Sequence, residues 1–222
     1  LSLPHDWGIE GPFRMDLPNE TGKLPWAGIG WYRKVWTLPA AAAGKRLFLD
    51  FDGAMAQPKV YVNGEFAGEW KYGYNSFRVE ITPWVKAGEE NLVAVRLENL
   101  PDSTRWYPGG GIYRHVRLVT ADPVHIAHWG VSVTTPAMTP ERATVAVATT
   151  IDNQSGQAQS VVVKQEILDG TEVVAVAESA QIAIAAGQGA DSRLELGLSK
   201  PKLWDLASPH LYTLRTTPSS AD

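Results

Sequence analysis

Short stretches in which apolar and polar side chains alternate, each closed by a turn signal, run through most of the chain. Residues 46–51 (RLFLDF) put Leu47, Leu49 and Phe51 on one face of a strand, and Asp52-Gly53 ends it. Residues 59–62 (KVYV) and 65–70 (EFAGEW) flank Asn63-Gly64, which supplies the two positive φ angles of a type I′ turn and predicts a hairpin. Aromatic and β-branched residues at 31–38 predict a strand that stops at Pro39; 77–81, 92–97 and 112–119 predict three more. The alanines of 39–45 (PAAAAGK) favour helix, but the run is too short to hold one alone. With no helical period between them, about eight such strands predict a β-sandwich of the jelly-roll type.

The pattern stays β after Pro123, with candidate strands at 125–133, 143–151, 160–168, 172–177, 181–185, 193–196 and 211–215. Turn signals fall at Asn153-Gln154-Ser155-Gly156, Asp169-Gly170 and Gly187-Gln188-Gly189. These strands predict an immunoglobulin-like sandwich without a cysteine pair. Residues 1–29 are rich in proline and glycine and predict irregular chain laid over a sheet, pinned by burial of Trp7, Phe13 and Trp26. Only three aromatics, Trp129, Trp204 and Tyr212, follow Ala121, and the later half turns to Ala and Val. The shift predicts two all-β domains, 1–121 and 122–222.

A chain of 222 residues with 44% hydrophobic content has ample material for packed cores. Its net charge of −4 offers no basic footprint for nucleic acid, and no apolar run approaches the length of a membrane span. Without cysteine there are no disulfides or thiolate metal sites. Leu1 is not an initiator methionine, so any targeting segment and the localisation stay open.

One loop stands out: Asp102-Ser103-Thr104-Arg105-Trp106-Tyr107-Pro108, followed by Gly109-Gly110-Gly111. An aromatic plane against the apolar face of a pyranose, with charged side chains for its hydroxyls, is the usual chemistry of sugar recognition. Arg105, Trp106 and Tyr107 supply it. The equally weighted alternative packs Trp106 and Tyr107 on Tyr72, Tyr74 or the N-terminal segment, with Arg105 in an ion pair. The glycines lack the strand–loop–helix setting of a phosphate cradle. His5-Asp6 reads first as a turn held by a side-chain hydrogen bond. His125 and His128 fall on opposite faces of a strand, so no metal site is expected. Asp50 and Asp52, Glu65 and Glu69, and Glu89 and Glu90 lie in turns or on solvated faces, and none marks the paired carboxylates of a glycosidase. No cofactor is implied.

Around this loop the sequence resembles glycoside hydrolase family 2, the β-galactosidases, β-glucuronidases and β-mannosidases. The segments that carry the resemblance are LPHDW (3–7), GWYR (30–33), VYVNG (60–64), NLVAV (91–95), RWYPGGGIYR (105–114) and PKLW with PHLY (201–204, 209–212). The resemblance implies a jelly-roll sugar-binding domain, an immunoglobulin-like domain and then a (β/α)₈ barrel that carries both catalytic glutamates. This sequence does not extend to such a barrel, and one strand of the second domain is expected beyond residue 215. On this footing the chain is the non-catalytic leading part of a retaining enzyme, β-galactosidase-like by the wording of its loop. The first domain lends a side chain to the sugar subsite. Arg105 is the leading candidate, with Trp106 and Tyr107 beside it; His115 is second, although the best-known members carry an acidic residue there. The implied partners are a β-galactoside and the barrel, with homo-oligomerisation open. Two alternatives remain: a self-sufficient carbohydrate-binding module, or purely structural domains.

Overall fold

The computed structural model describes residues 1–16, 26–101 and 109–220, and the chain divides into two compact units, Leu1–Asp122 and Pro123–Asp222. Every pairing in both units is antiparallel. No helix of the described residues is long and apolar enough to cross a membrane.

The first unit is a two-layer sandwich of the jelly-roll type. Its strands are β1 (Gly28–Thr37), β2 (Arg46–Phe51), β3 (Lys59–Val62), β4 (Glu65–Glu69), β5 (Phe77–Glu80), β6 (Glu90–Asn99) and β7 (Val116–Ala121). One sheet runs β1-β6-β3-β4 and the other β5-β2-β7. Strand alternation explains the core: Leu47, Leu49 and Phe51 of β2 meet Val60 and Val62 of β3 and Val95 and Leu97 of β6. Phe51 stacks on Phe77 at 4.6 Å and Phe77 on Trp70 at 5.9 Å. The Asn63-Gly64 hairpin forms with φ of 53° and 92°, the positive angles that a type I′ turn requires. The Asn63 and Asn91 side chains bond each other at 2.9 Å, and Asn91 also takes the Lys86 N–H, closing the turns at that end.

Two sequence expectations change here. The strand expected at 112–119 begins at Val116; Ile112 instead enters the core, 2% exposed, after Gly111 bridges to Met55. Of the three aromatics expected to pin the N-terminal segment, only Trp7 packs on the core, whereas Phe13 and Trp26 are 65% and 44% exposed.

The second unit is an immunoglobulin-like sandwich of β8 (Val124–Met138), β9 (Arg142–Asn153), β10 (Gln159–Asp169), β11 (Glu172–Glu178), β12 (Ile182–Ile184), β13 (Gly189–Ser199) and β14 (Thr213–Ser220). One sheet runs β13-β9-β8; in the other, β10 pairs β14 along 161–168 and β11 and β12 toward its two ends. Pro136 in β8 and Pro218 in β14 lack a ladder N–H, and both strands lie at the ends of their sheets. Ile151, Val161, Val163 and Ile184 form one core cluster, and Val147, Ile167 and Leu196 another.

Candidate functional site

The triple glycine is a packing surface. The N-terminal segment crosses it as a short strap: the His5 N–H donates to the Ile112 carbonyl and the Trp7 N–H to the Gly110 carbonyl, both at 2.8 Å. Asp6 caps the turn Trp7–Glu10 by accepting from the Gly8 N–H at 2.8 Å, and the same oxygen accepts from the Gly110 N–H at 2.9 Å. On the other side, Gly111 and Met55 exchange two backbone hydrogen bonds of 2.9 Å. A Cβ at Gly109 would stand 2.0 Å from Asp6 Oδ2, and one at Gly110 would stand 2.6 Å from the Trp7 ring. At Gly111 it would meet the His5 carbonyl and the Tyr32 hydroxyl at 2.5 Å, and φ there is +140°. Gly109 and Gly110 are needed for close approach, and Gly111 for close approach and for its positive φ.

The hydrogen-bonded turn expected at His5-Asp6 is thus present, and it reaches further than expected. His5 Nε2 lies 2.8 Å from Glu10 and Nδ1 2.6 Å from the Tyr32 hydroxyl. A carboxylate only accepts, so the neutral ring carries its proton on Nε2 and takes the Tyr32 O–H on Nδ1. Burial raises the Tyr32 phenol above its ordinary pKa, the Ile112 N–H opposes this, and the Asp6 and Glu10 carboxylates add to the rise.

Arg105, Trp106 and Tyr107 lie outside the described residues. His115 is described and exposed, and its carbonyl accepts from the Asp52 N–H at 2.9 Å. Arg117 donates to Asp52 at 2.7 Å, which together with the charges of Arg114 and His115 holds the Asp52 carboxyl below its usual range. That carboxylate is an ionised acceptor for hydroxyls, not a proton donor. The rim continues through Tyr113, whose hydroxyl donates to the Gly73 carbonyl at 2.9 Å, and through Tyr72 and Tyr74, 5.3 Å apart. Tyr72 is 56% exposed. Among the described residues this end of the unit therefore brings together an exposed aromatic ring, the Asp52 carboxylate and the cations Arg114 and Arg117. The Asp52 and Tyr113 contributions were not foreseen; the close Gly53–Tyr113 approach that organises them leaves no local sequence signal. Asp50 is engaged by Arg78 at 2.6 and 2.7 Å. His125 and His128 are separated by a register shift in β8, and no three His, Asp or Glu residues converge as a metal site among the described residues.

The fold is two all-β sandwiches in sequence, the first with an aromatic and charged rim at one end. The family model described as "Glycosyl hydrolases family 2, sugar binding domain" matches residues 8–122, and that of glycosyl hydrolases family 2 matches residues 124–222. The chain belongs to glycosyl hydrolase family 2.

Among curated relatives, the β-galactosidase BoGH2A of Bacteroides ovatus is 40% identical over 97% of this chain and 26% of its own length. A putative β-glucuronidase of Formosa agariphila is 33% identical over 97% of this chain and 20% of its own. A solved family 2 member from Bacteroides cellulosilyticus superposes with a TM-score of 0.94 at 34% identity, covering all of this chain and 30% of that one. The chain thus spans about a quarter of the length of the relatives it matches.

Proposed function

We propose that this chain forms the leading, non-catalytic portion of a retaining β-galactosidase, in which the first unit supplies sugar-contacting side chains and a docking face for a catalytic barrel. The observation that carries this reading is the fixed base of the loop. The residues at 109–112, directly after Arg105, Trp106 and Tyr107 in sequence, are clamped between the N-terminal strap and Met55. A side chain lent to a subsite must leave from such a fixed point. Arg105 donates to sugar hydroxyls, Trp106 and Tyr107 stack on the ring, and His115 with the Asp52 rim borders the same end. The 40% identity to a β-galactosidase supports galactoside over glucuronide. On the same reading a further strand pairs the outer edge of β14, and the domain limits fall at 1–121 and 122–222.

The test is made in the full-length enzyme. Arg105→Ala is expected to lower kcat/KM for a nitrophenyl β-galactoside at least tenfold, with the matching β-glucuronide a poor substrate. An unchanged kcat/KM removes the subsite role, and a preference for the glucuronide reassigns the substrate. Hydrolysis by the 222-residue chain alone overturns the non-catalytic assignment.

A further inference from the structure

Ile112 is where the chain leaves the strap and enters the rim. Its side chain is in the core, and Tyr113, Arg114 and His115 follow it directly. Both of its backbone groups are held from other segments. The carbonyl accepts from the His5 N–H at 2.8 Å, and the N–H donates to the Tyr32 hydroxyl. Tyr32 reaches that N–H from β1, where it packs against the core.

The same hydroxyl gives its own proton to His5 Nδ1 at 2.6 Å, and His5 Nε2 donates to Glu10 at 2.8 Å. A Glu10–His5–Tyr32 chain thus runs from an exposed carboxylate to a buried backbone group. Each member can fill one role only. The carboxylate accepts, the ring with its proton on Nε2 offers an acceptor on Nδ1, and the phenol must donate there and turn its lone pairs to Ile112.

The strap has other fastenings. The His5 and Trp7 N–H groups and the Asp6 carboxylate bond it to Ile112 and Gly110, and the Trp7 ring lies against Gly30 and Gly110. What the side-chain array supplies, among the described residues, is the partner of the Ile112 N–H. A buried N–H without a partner shifts toward any acceptor in reach, and the residues behind it shift as well. Those residues are the rim: Tyr113 on the Gly73 carbonyl, the Arg114 stem against Gly53, and the His115 carbonyl that takes the Asp52 N–H.

We propose that Tyr32, oriented by His5 and Glu10, is a positioning residue for the sugar-binding rim. It touches no sugar and fixes the backbone from which Tyr113, Arg114 and His115 depart. The inference rests on the reading of this end of the first unit as part of a sugar subsite. A displaced rim weakens contacts made alike to bound substrate and transition state, so the effect falls on KM and not on kcat.

The experiment compares Tyr32→Phe, His5→Ala and His5→Asn. In the full-length enzyme, Tyr32→Phe and His5→Ala are expected to raise KM for a nitrophenyl β-galactoside about fivefold with kcat nearly unchanged. Asn places a carbonyl oxygen where Nδ1 stands, so His5→Asn should recover most of the parent KM. In the 222-residue chain, amide hydrogen exchange at 112–116 should quicken about tenfold in the first two variants while β2 and β6 keep the parent rates. Three results overturn the proposal: the parent KM in Tyr32→Phe and His5→Ala; a fall in kcat with faster exchange throughout β2 and β6, which marks a merely structural residue; or no recovery in His5→Asn. Arg105→Ala is measured beside them. Parent kinetics there with a raised KM in Tyr32→Phe removes the Arg105 role and keeps that of Tyr32. A loss there with the parent KM in Tyr32→Phe does the reverse.

Discussion

In the first unit the irregular segments lie so close together that no side chain fits between them: Trp7 lies against Gly30 and Gly110, Gly73 against Met55, Gly53 against Tyr113. In the second, irregular chain is tied by polar side chains that are themselves buried. Asn153, fully buried, donates to the carbonyls of Gln157, Ile184 and Ala185 and accepts from Ser155. Gln165 joins Thr149 and Thr216 inside the same unit. Shape dominates around the strap of the first unit, where buried Asn91 is the polar exception, and hydrogen-bond satisfaction dominates around Asn153 of the second. The two regions should therefore fail differently: the first when atoms are added, the second when partners are removed.

The largest effect is expected at Gly111. Gly111→Ala adds a Cβ 2.5 Å from a backbone carbonyl at a φ that disfavours L-residues, and should cost about 3–5 kcal/mol. Urea unfolding followed by tryptophan emission, which reports mainly the first unit, checks this; a loss under 1 kcal/mol would break the shape side of the contrast. Asn153→Ala comes next, at about 2–3 kcal/mol, because it leaves buried carbonyls unpaired. Here the β-sheet circular dichroism of the second unit should melt early while tryptophan emission changes little.

A third effect is visible only in acid. Hydrogen bonds from Arg215 and then Lys164 hold the Glu166 carboxyl at about 2, below its ordinary 4.5. A carboxyl lowered on folding stabilises the fold above its unfolded value, and the gain is lost as pH falls from about 4.5 toward about 2. Denaturant midpoints at pH 6 and pH 3 should therefore differ less in Glu166→Gln than in the parent. Equal differences would show that Glu166 does not clip β14 to β10. Smallest of all, His115→Ala should shift stability by less than about 0.5 kcal/mol, since the side chain is exposed and acts on Asp52 only through charge. A thermal melt settles it.

The sequence was most legible where its cause is local. Asn63-Gly64 dictates a hairpin whatever surrounds it, and 46–51 alternates because one face is core. The start of β7 was not legible, because the apolar pattern at 112–115 also suits a segment whose bridge partner, Met55, is distant in the chain. The reason for the three glycines was hidden for the same cause: their neighbours are His5, Asp6 and Trp7. The contacts of Trp31 with Tyr61 and of Tyr61 with Phe66 depend on the register of strands far apart in the chain and leave no local signal. Of the candidate site, His115 has a described position, while Arg105, Trp106 and Tyr107 lie outside the described residues.

The hydrogen bond from Gly110 to Asp6 joins positions 104 residues apart. During synthesis the strap leaves the ribosome before its seat, which is made only after six of the seven strands of the unit have been translated. Asp6 and Trp7 must wait, solvated, until that length of chain exists. Contacts of such long sequence separation form late and slow the search for the native state. The residues at 109–112 are thus also the clasp that closes the folding of their domain, and a nascent chain halted before Gly110 has nothing to fasten it.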